Sequence, residues 1–465
     1  MTRDAAWDLL RRCVQKALRV LERKDIAHAE AFFTSTATTE VTIRNSAILT
    51  QNRIDDSGVG FRVAAAHNHV GFACTNTLSE KAILAAGERA FAIARVSSEV
   101  PHFALPQASR PPEVTGLFDP RVAEMTVDEA VELASRAIRA AEAYDKRVIA
   151  KDGRVSLASG WRGLVNTLGV DCEAQETKAV IYLAGSGKHN GEVTGSCYDY
   201  MFNRTAALKP ESVGEGVGKK VIRMFQPKPL KRFQGPVIFG PEAVSYQLVD
   251  VLIDALRGDN VVAQRSAWTG QLQERVTSET LTLTDNPVLA DGFASRRFDD
   301  EGCASQRTVL VSKGTLESYL HDATSANALK RVNTGNASRF PSGFDMIRAI
   351  VGHGYRAKPV IYPSNLTIQP GNQTTETLIS EIAQGVLVEA MAGFAQAGSG
   401  LISAQLSRAF FIDHGEITYP IKGGMLSGVA FDWFNQISGV GKEPETFPNA
   451  VVPSLRVKDV RVIGA

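Results

Sequence analysis

Apolar residues Trp7, Leu10, Val14, Leu18 and Leu21 recur at steps of three and four, so the pattern predicts one amphipathic helix over residues 4–23. The period then changes. The runs "AEAFFTS", "EVTIRNSAILTQNR" and "GVGFRVAAAHNHVGFACT" are rich in β-branched and aromatic residues. Their breaks at Asp-Ser-Gly and His-Asn-His predict antiparallel hairpins. Thr77-Leu78-Ser79-Glu80 has capping-box spacing, with Ile83, Ala86, Ala90 and Ile93 behind it, which predicts a second helix. After a Pro-rich connector over residues 99–120 the order repeats. Thr126-Val127-Asp128-Glu129 caps a helix to about Arg147, and "RVSLASGWRGLVNTLGVDCEAQETKAVIYLAG" then supplies several strands. Helix followed by strands, twice over, reads as an internal duplication.

A third helix is expected near 208–225, and the Pro-rich stretch to 236 marks the passage into another domain. The division expected is 1–230 and 231–465. From Val237 onward, strand-like segments alternate with two predicted helices, 241–257 and 374–392. The fold class that follows is α+β and not a doubly wound sheet. It comprises an N-terminal α/β region with antiparallel hairpins and a duplication, then a C-terminal mixed domain with extended β-sheet. The apolar stretch 385–402 is broken by Glu389, Gln396 and a Gly-Ser-Gly, so it reads as a buried helix end and loop rather than a membrane span.

Composition narrows the function. A chain of 465 residues, 44% hydrophobic and 22% charged, has the balance of a globular protein with substantial cores. With 51 Lys plus Arg against 50 Asp plus Glu, it carries no global field that would hold nucleic acid or anionic lipid. The densest basic cluster, Lys228, Lys231 and Arg232, lies among Pro227, Pro229 and Pro236 and reads as a solvated linker. Cys13, Cys74, Cys172, Cys197 and Cys303 are odd in number, widely spread and never paired as CxxC, which argues against a disulfide framework or a thiolate metal knuckle. Asp4, Asp8 and several arginines interrupt the first twenty residues, so no secretory signal is read and a cytoplasmic location is expected.

Several tempting motifs fail. "GEGVGKK" and "GSGKHNG" are not phosphate loops, because the required glycine and Ser/Thr positions hold Val213 and Lys220, or Tyr182 and His189. There is no GxSxG elbow. His67 and His69 share one side of a strand and are able to ligate a metal together, but a polar hairpin tip explains them. His321 beside Asp322, and the acidic run Asp299-Asp300-Glu301, offer acid and base groups that sequence alone does not bring together. The acidic run, with Gly302 and Arg307, is expected to form an internal salt-bridged turn.

Gly240-Pro241 is a helix start, since proline at the first helical position has no amide to leave unpaired. Val244, Leu248, Val251, Leu252 and Ala255 follow as a buried stripe, with Gly258 as the stop. Together with "DDSGVGFRVAAAHNHVGFACTNTLSEKAI", "SRRFDDEGCASQRTVLVSKGTLESYL", "NTGNASR", "YPSNLTIQPG", "GEITYPIKG" and "PSLRVKDVRV", this helix makes the chain resemble the TldD/TldE (PmbA, modulator of DNA gyrase) family over nearly its whole length. The resemblance implies that TldD-type subunits hold zinc on a His-Glu-x-x-x-His helix aided by a later cysteine, and cut unfolded peptides. It also implies that TldE-type subunits lack those ligands and pair with them. Here only the glutamate of that motif remains, as Glu242, with Pro241 and Tyr246 at the histidine positions and no cysteine after Cys303.

Zinc chemistry needs about three protein donors. Proline offers none, and a phenol of pKa near ~10 stays protonated at neutral pH. The expectation is therefore no metal and no catalytic residue in this chain, with Glu242 a weak candidate that serves the helix N-terminus electrostatically. Zinc is expected in a TldD-like partner. Gly335, Asn336 and Arg339 are candidate peptide contacts, because arginine supplies a bidentate fork and glycine allows close approach. A tight turn with a surface arginine explains them equally well. The expected role is a TldE-like subunit that pairs with a TldD-like metallopeptidase and binds extended, unfolded peptides for proteolysis or peptide maturation. Two alternatives stand beside it: a homodimer that binds a peptide or small molecule, and a hydrolase with relocated residues such as His321, Asp322 or Glu242. Residues 340–363, rich in glycine and proline, are readable either as a lid or as a packed insertion.

Overall fold

The computed structural model describes residues 3–339, 354–396 and 398–464. Helix α1 (Arg3–Leu21) buries Trp7, Leu10, Val14, Leu18 and Leu21, the five residues whose spacing predicts it. Two strands of nineteen residues follow, β1 (Ile26–Arg44) and β2 (Ala47–Ala65). They turn at Asn45 and Ser46, both at positive φ (48° and 62°), the handedness that fits a tight hairpin to strand twist. The predicted break at Asp-Ser-Gly does not occur, because those residues pair with β1 throughout: Asp56 faces Thr36, Ser57 faces Ser35 and Gly58 faces Thr34. The His-Asn-His break does occur, between β2 and β3 (Val70–Thr75). Helix α2 (Glu80–Ala94) is capped by Ser79, whose hydroxyl accepts from the Ala82 amide, two residues later than the predicted box.

The same series then recurs. After the single turn α3 (Pro120–Glu124), α4 (Val127–Tyr144) begins with the full capping box between Thr126 and Glu129. The strands β4 (Val148–Asn166) and β5 (Asp171–His189) again have nineteen residues each. The short β6 (Glu192–Val193), then β7 (Cys197–Asn203) and α5 (Pro210–Ile222) complete the unit. All these strands form one sheet in the order β3-β2-β1-β4-β5-β6, with β7 also on β5. β1 and β4 pair antiparallel about Ala37 opposite Ser159, so the two units meet back to back. Helices α1 and α2 cover one half of a single face, and α4 and α5 the other.

The chain then adds the edge strand β8 (Lys228–Pro229) and enters β9 (Phe233–Phe239). Beyond β9 lie the turn α6 (Pro241–Ala243), a π-turn over Val244–Leu248, and helices α7 (Val249–Leu256) and α8 (Gly258–Val262). The predicted helix 241–257 is thus present, with a wide turn inside it. Short strands β10 (Leu283–Asp285), β11 (Thr308–Ser312) and β12 (Thr315–Leu316) follow, then helix α9 (Ala323–Leu329). Next come β13 (Ala337–Ser338), β14 (Val360–Ile361), β15 (Leu366–Ile368) and α10 (Thr375–Ser380).

The predicted helix 374–392 ends at Ser380. Residues beyond it form β16 (Gln384–Gln396), which pairs with β9 on one side and β17 (Leu401–Asp413) on the other. The apolar run 385–402 is therefore a hairpin and not a helix end. A run of this length carries no periodicity to separate helix from strand, and pairing on both sides decides it. The chain ends with β18 (Glu416–Lys422), β19 (Met425–Val429), α11 (Ala430–Asn435), β20 (Ile437–Val440), β21 (Glu445–Thr446), β22 (Ala450–Val452) and β23 (Leu455–Ile463). Pairings β16–β9–β23–β19–β17 and β17–β16 close into a ring of five strands. Closure removes unpaired edges from this part of the molecule.

Candidate functional site

Glu242 lies at the exit of β9, where the N-terminal unit's α5 and β7 approach the closed ring. Gly240 and Pro241 end the strand and open the helix, as their chemistry dictates. The turn that follows is π and not α: the Val249 amide bonds the Val244 carbonyl, five residues back. Such a wide turn is uncommon and brings positions five apart toward one side. Only Val244–Leu248 lie in this turn; Pro241 precedes it on a tighter turn, where its carbonyl accepts from the Val244 amide.

Glu242 lies in the first turn of the helix, as expected, and is buried. Its Oε2 accepts from Nη2 of Arg408 at 2.7 Å, and Lys220 Nζ stands 3.7 Å from the same oxygen. Arg408 also donates from Nε to Glu389 Oε2 at 2.8 Å, while Glu389 Oε1 accepts from Arg223 at 2.6 Å. Burial works against the Arg408 cation, but Glu242 and Glu389 overcome it and hold the guanidinium more firmly protonated than usual. A ring of aromatics backs this cluster: Tyr246 meets Phe447 at 5.5 Å and Tyr200 at 6.3 Å between ring centres. Burial first, and Glu242 second, push the Tyr246 and Tyr198 phenols up, so neither ionises near neutral pH.

A zinc ion does not fit these residues. Pro241 has no donor, Tyr246 keeps its proton, and the carboxylate of Glu242 is held by a guanidinium. Among the described residues, no three His, Cys, Asp or Glu side chains converge as a metal centre requires.

The remaining candidates lie elsewhere and face inward. Arg339 is buried: its Nη2 pairs with Glu30, its Nη1 donates to the Ala357 carbonyl at 2.6 Å, and its Nε to the Asp300 carbonyl at 3.2 Å. The fork expected to grip a peptide is thus engaged by the protein itself. Asn336 is also buried, donating to Asp285 Oδ2 at 2.6 Å and accepting from the Thr334 hydroxyl at 2.6 Å. Gly335, at φ 72°, gives its carbonyl to Arg296 at 3.1 Å. None of the three sits beside Glu242, 241 or 246 in the hydrogen-bond pattern.

The acidic run is a buried ionic junction, and its partners are not Arg307, which is exposed. Asp300 takes Arg162 at 2.7 Å and Glu301 takes Arg62 at 2.6 Å, both from the N-terminal sheet. Asp299 accepts the amides of Glu301, Cys303 and Ala337, which holds the turn shut. His321 and Asp322 do not form an acid and base pair. The imidazole Nδ1 lies 3.2 Å from the Ser325 hydroxyl, while Asp322 caps α9 through the Ser325 amide at 2.7 Å. Burial pushes His321 down to about 4, so it is neutral at ordinary pH. His67 is exposed at the hairpin tip, and His69 Nδ1 contacts the Ser97 carbonyl at 2.6 Å. Lys220 and Gly185 of the failed phosphate-loop motifs fall on α5 and the end of β5. Of the segment 340–363, residues 340–353 lie outside the described residues. The rest forms a turn and β14, with the Tyr355 hydroxyl 3.1 Å from Asp56.

Sequence reasoning missed Arg408, Glu389, Arg223 and Lys220. One signal was available. Ile402, Ala404, Leu406, Phe410 and Ile412 alternate as the buried side of β17, and Arg408 falls on that same parity. A charge at a buried parity needs a partner.

Comparison with known proteins places the chain. Models of the PmbA/TldA metallopeptidase match in three parts: domain 1 at residues 29–94, the central domain at 120–225 and the C-terminal domain at 233–464. The metalloprotease PmbA of Escherichia coli O157:H7 is 26% identical over 471 residues, covering 99% of this chain and 97% of that protein. Among solved structures, TldE from Thermococcus kodakarensis matches with a TM-score of 0.86 at 23% identity, covering 97% of this chain and 100% of that one. A modulator of a DNA gyrase from Thermotoga maritima matches with a TM-score of 0.84 at 22% identity, covering 97% and 99%.

Proposed function

Because the chain belongs to the PmbA/TldD metallopeptidase family, we propose that it is a TldE-type subunit, without a metal of its own, that joins a TldD-like zinc peptidase. In this role it helps enclose an extended, unfolded peptide for proteolysis or maturation of a peptide product. The observation that carries the reading is the state of Glu242. A general-base glutamate needs a free oxygen and a polarised water beside it. Among the described residues Glu242 keeps Oε1 without a hydrogen-bond partner, but Oε2 is held by a guanidinium at 2.7 Å, and the proline before it and the protonated tyrosine four residues on offer no donor for a metal that would polarise the water. Main-chain pairing is the chemistry proposed for holding peptides of varied sequence, since added strands are gripped through backbone groups.

The test is to purify the chain alone and together with a TldD-like partner, then measure zinc content and cleavage of an unfolded peptide. Activity and zinc are expected only when the partner is present, with the two chains co-eluting. A lone chain that carries one zinc and cleaves peptide would defeat the reading.

A further inference from the structure

The charge around Glu242 is set by residues outside the helix that carries it. Arg408 comes from β17, Glu389 from β16, Lys220 from α5 and Arg223 from the residue that caps its C-terminus. A buried guanidinium persists only where carboxylates and hydrogen bonds offset its desolvation. Arg408, 4% exposed at its side chain, has both: Glu242 at 2.7 Å and Glu389 at 2.8 Å. Arg408 and Arg223 thus meet at Glu389, while Lys220 is shared between Glu242 at 3.7 Å and Asp199 at 3.4 Å, with Glu445 close enough to feel the same charges.

We propose that Arg408 is a built-in substitute for a metal cation, supplying the positive charge that a divalent ion would otherwise bring to Glu242, and that it excludes such an ion even when imidazoles are provided at 241 and 246. This rests on the reading of the chain as a TldE-type subunit. The π-turn over Val244–Leu248 begins after Pro241, so position 246 lies inside it and position 241 on the tighter turn before it. The obstacle is a fixed like charge on the carboxylate that a metal site would use. A cation that cannot dissociate also keeps this wall of the molecule in one shape at any metal concentration.

The test compares three chains: the unaltered protein, Pro241→His/Tyr246→His, and Pro241→His/Tyr246→His/Arg408→Met. Zinc per chain is measured by elemental analysis after dialysis, and the zinc-induced shift in melting temperature is measured in parallel. The double variant is expected to retain no zinc, and the triple variant about one zinc per chain with a raised melting temperature. Zinc uptake by the double variant equal to that of the triple overturns the proposal. So does a folded triple variant that binds none. If methionine at 408 leaves the chain unfolded, recovery of the fold on adding zinc supports the substitution of one cation for another. Failure to recover, repeated with Arg408→Gln in the same background, counts against it. Zinc in the unaltered chain overturns the functional reading and this proposal together, whereas equal uptake by the double and triple variants overturns this proposal alone.

Discussion

Arg62 donates from Nη2 to Glu301 Oε1 at 2.6 Å, joining the N-terminal sheet to a turn 239 residues later in the chain. The same guanidinium lies 2.9 Å from Glu30 through Nε, and neither carboxylate reaches solvent. Arg62→Met would leave Glu301 buried without its cation while Glu30 keeps Arg339, a loss on the order of 3 kcal/mol. Equilibrium unfolding in urea measures it, and Arg62→Met/Glu301→Gln is expected to recover part of the loss. A cost near that of a surface pair, about 0–1 kcal/mol, would mean that water reaches the junction.

His321 gives the chain an acid-sensitive term. Burial holds its folded-state imidazole down to about 4, against ~6.5 in an unfolded chain. The folded state binds fewer protons between those values, so the contribution is complete above about pH 6.5 and is lost as pH falls through about 4. Its size is on the order of 3 kcal/mol. His321→Gln is expected to flatten the stability curve across that window. Curves for variant and parent that run parallel would rule this out.

Gly58 faces the Tyr355 ring so closely that an added Cβ would sit 2.2 Å from a ring carbon. Gly58→Ala is expected to cost about 1–3 kcal/mol as an overpacked contact. Tyr355→Ala opens a cavity and costs about 3–5 kcal/mol by analogy with other large aromatics. The double variant should be less destabilised than the sum of the two. Strict additivity in thermal melts would show that the ring moves aside freely.

Chelation offers a simpler check. With the charge at Glu242 balanced by Arg408, melting curves of the lone chain in chelator and in excess zinc are expected to superimpose. A drop in melting temperature on chelation would reveal a structural ion.

Much of the fold was legible because it follows from period and caps. The stripe on α1, the Thr126 box and the alternation of helix with hairpins all state themselves in single residues. The hairpin turn at Asn45 and Ser46 was missed in favour of Asp-Ser-Gly, a turn-like triplet that pairs across its whole length as strand. Strand β16 was mistaken for helix because its apolar run is uniform, and only its two neighbours fix it. At the candidate site, the sequence showed which side chains position 241 and position 246 lack. It did not show what compensates, because Arg408 is 166 residues from Glu242 and meets it only after the ring of strands has closed. Neither reading of Arg339, a fork for peptide or a surface arginine on a tight turn, anticipates its burial, for the same reason: its partner Glu30 lies 309 residues away.

The clasp of Arg408 on Glu242 has a consequence for mutation. Strand β17 and the helix after Pro241 share one guanidinium, so an exchange at position 408 is felt at position 242, 166 residues away along the chain.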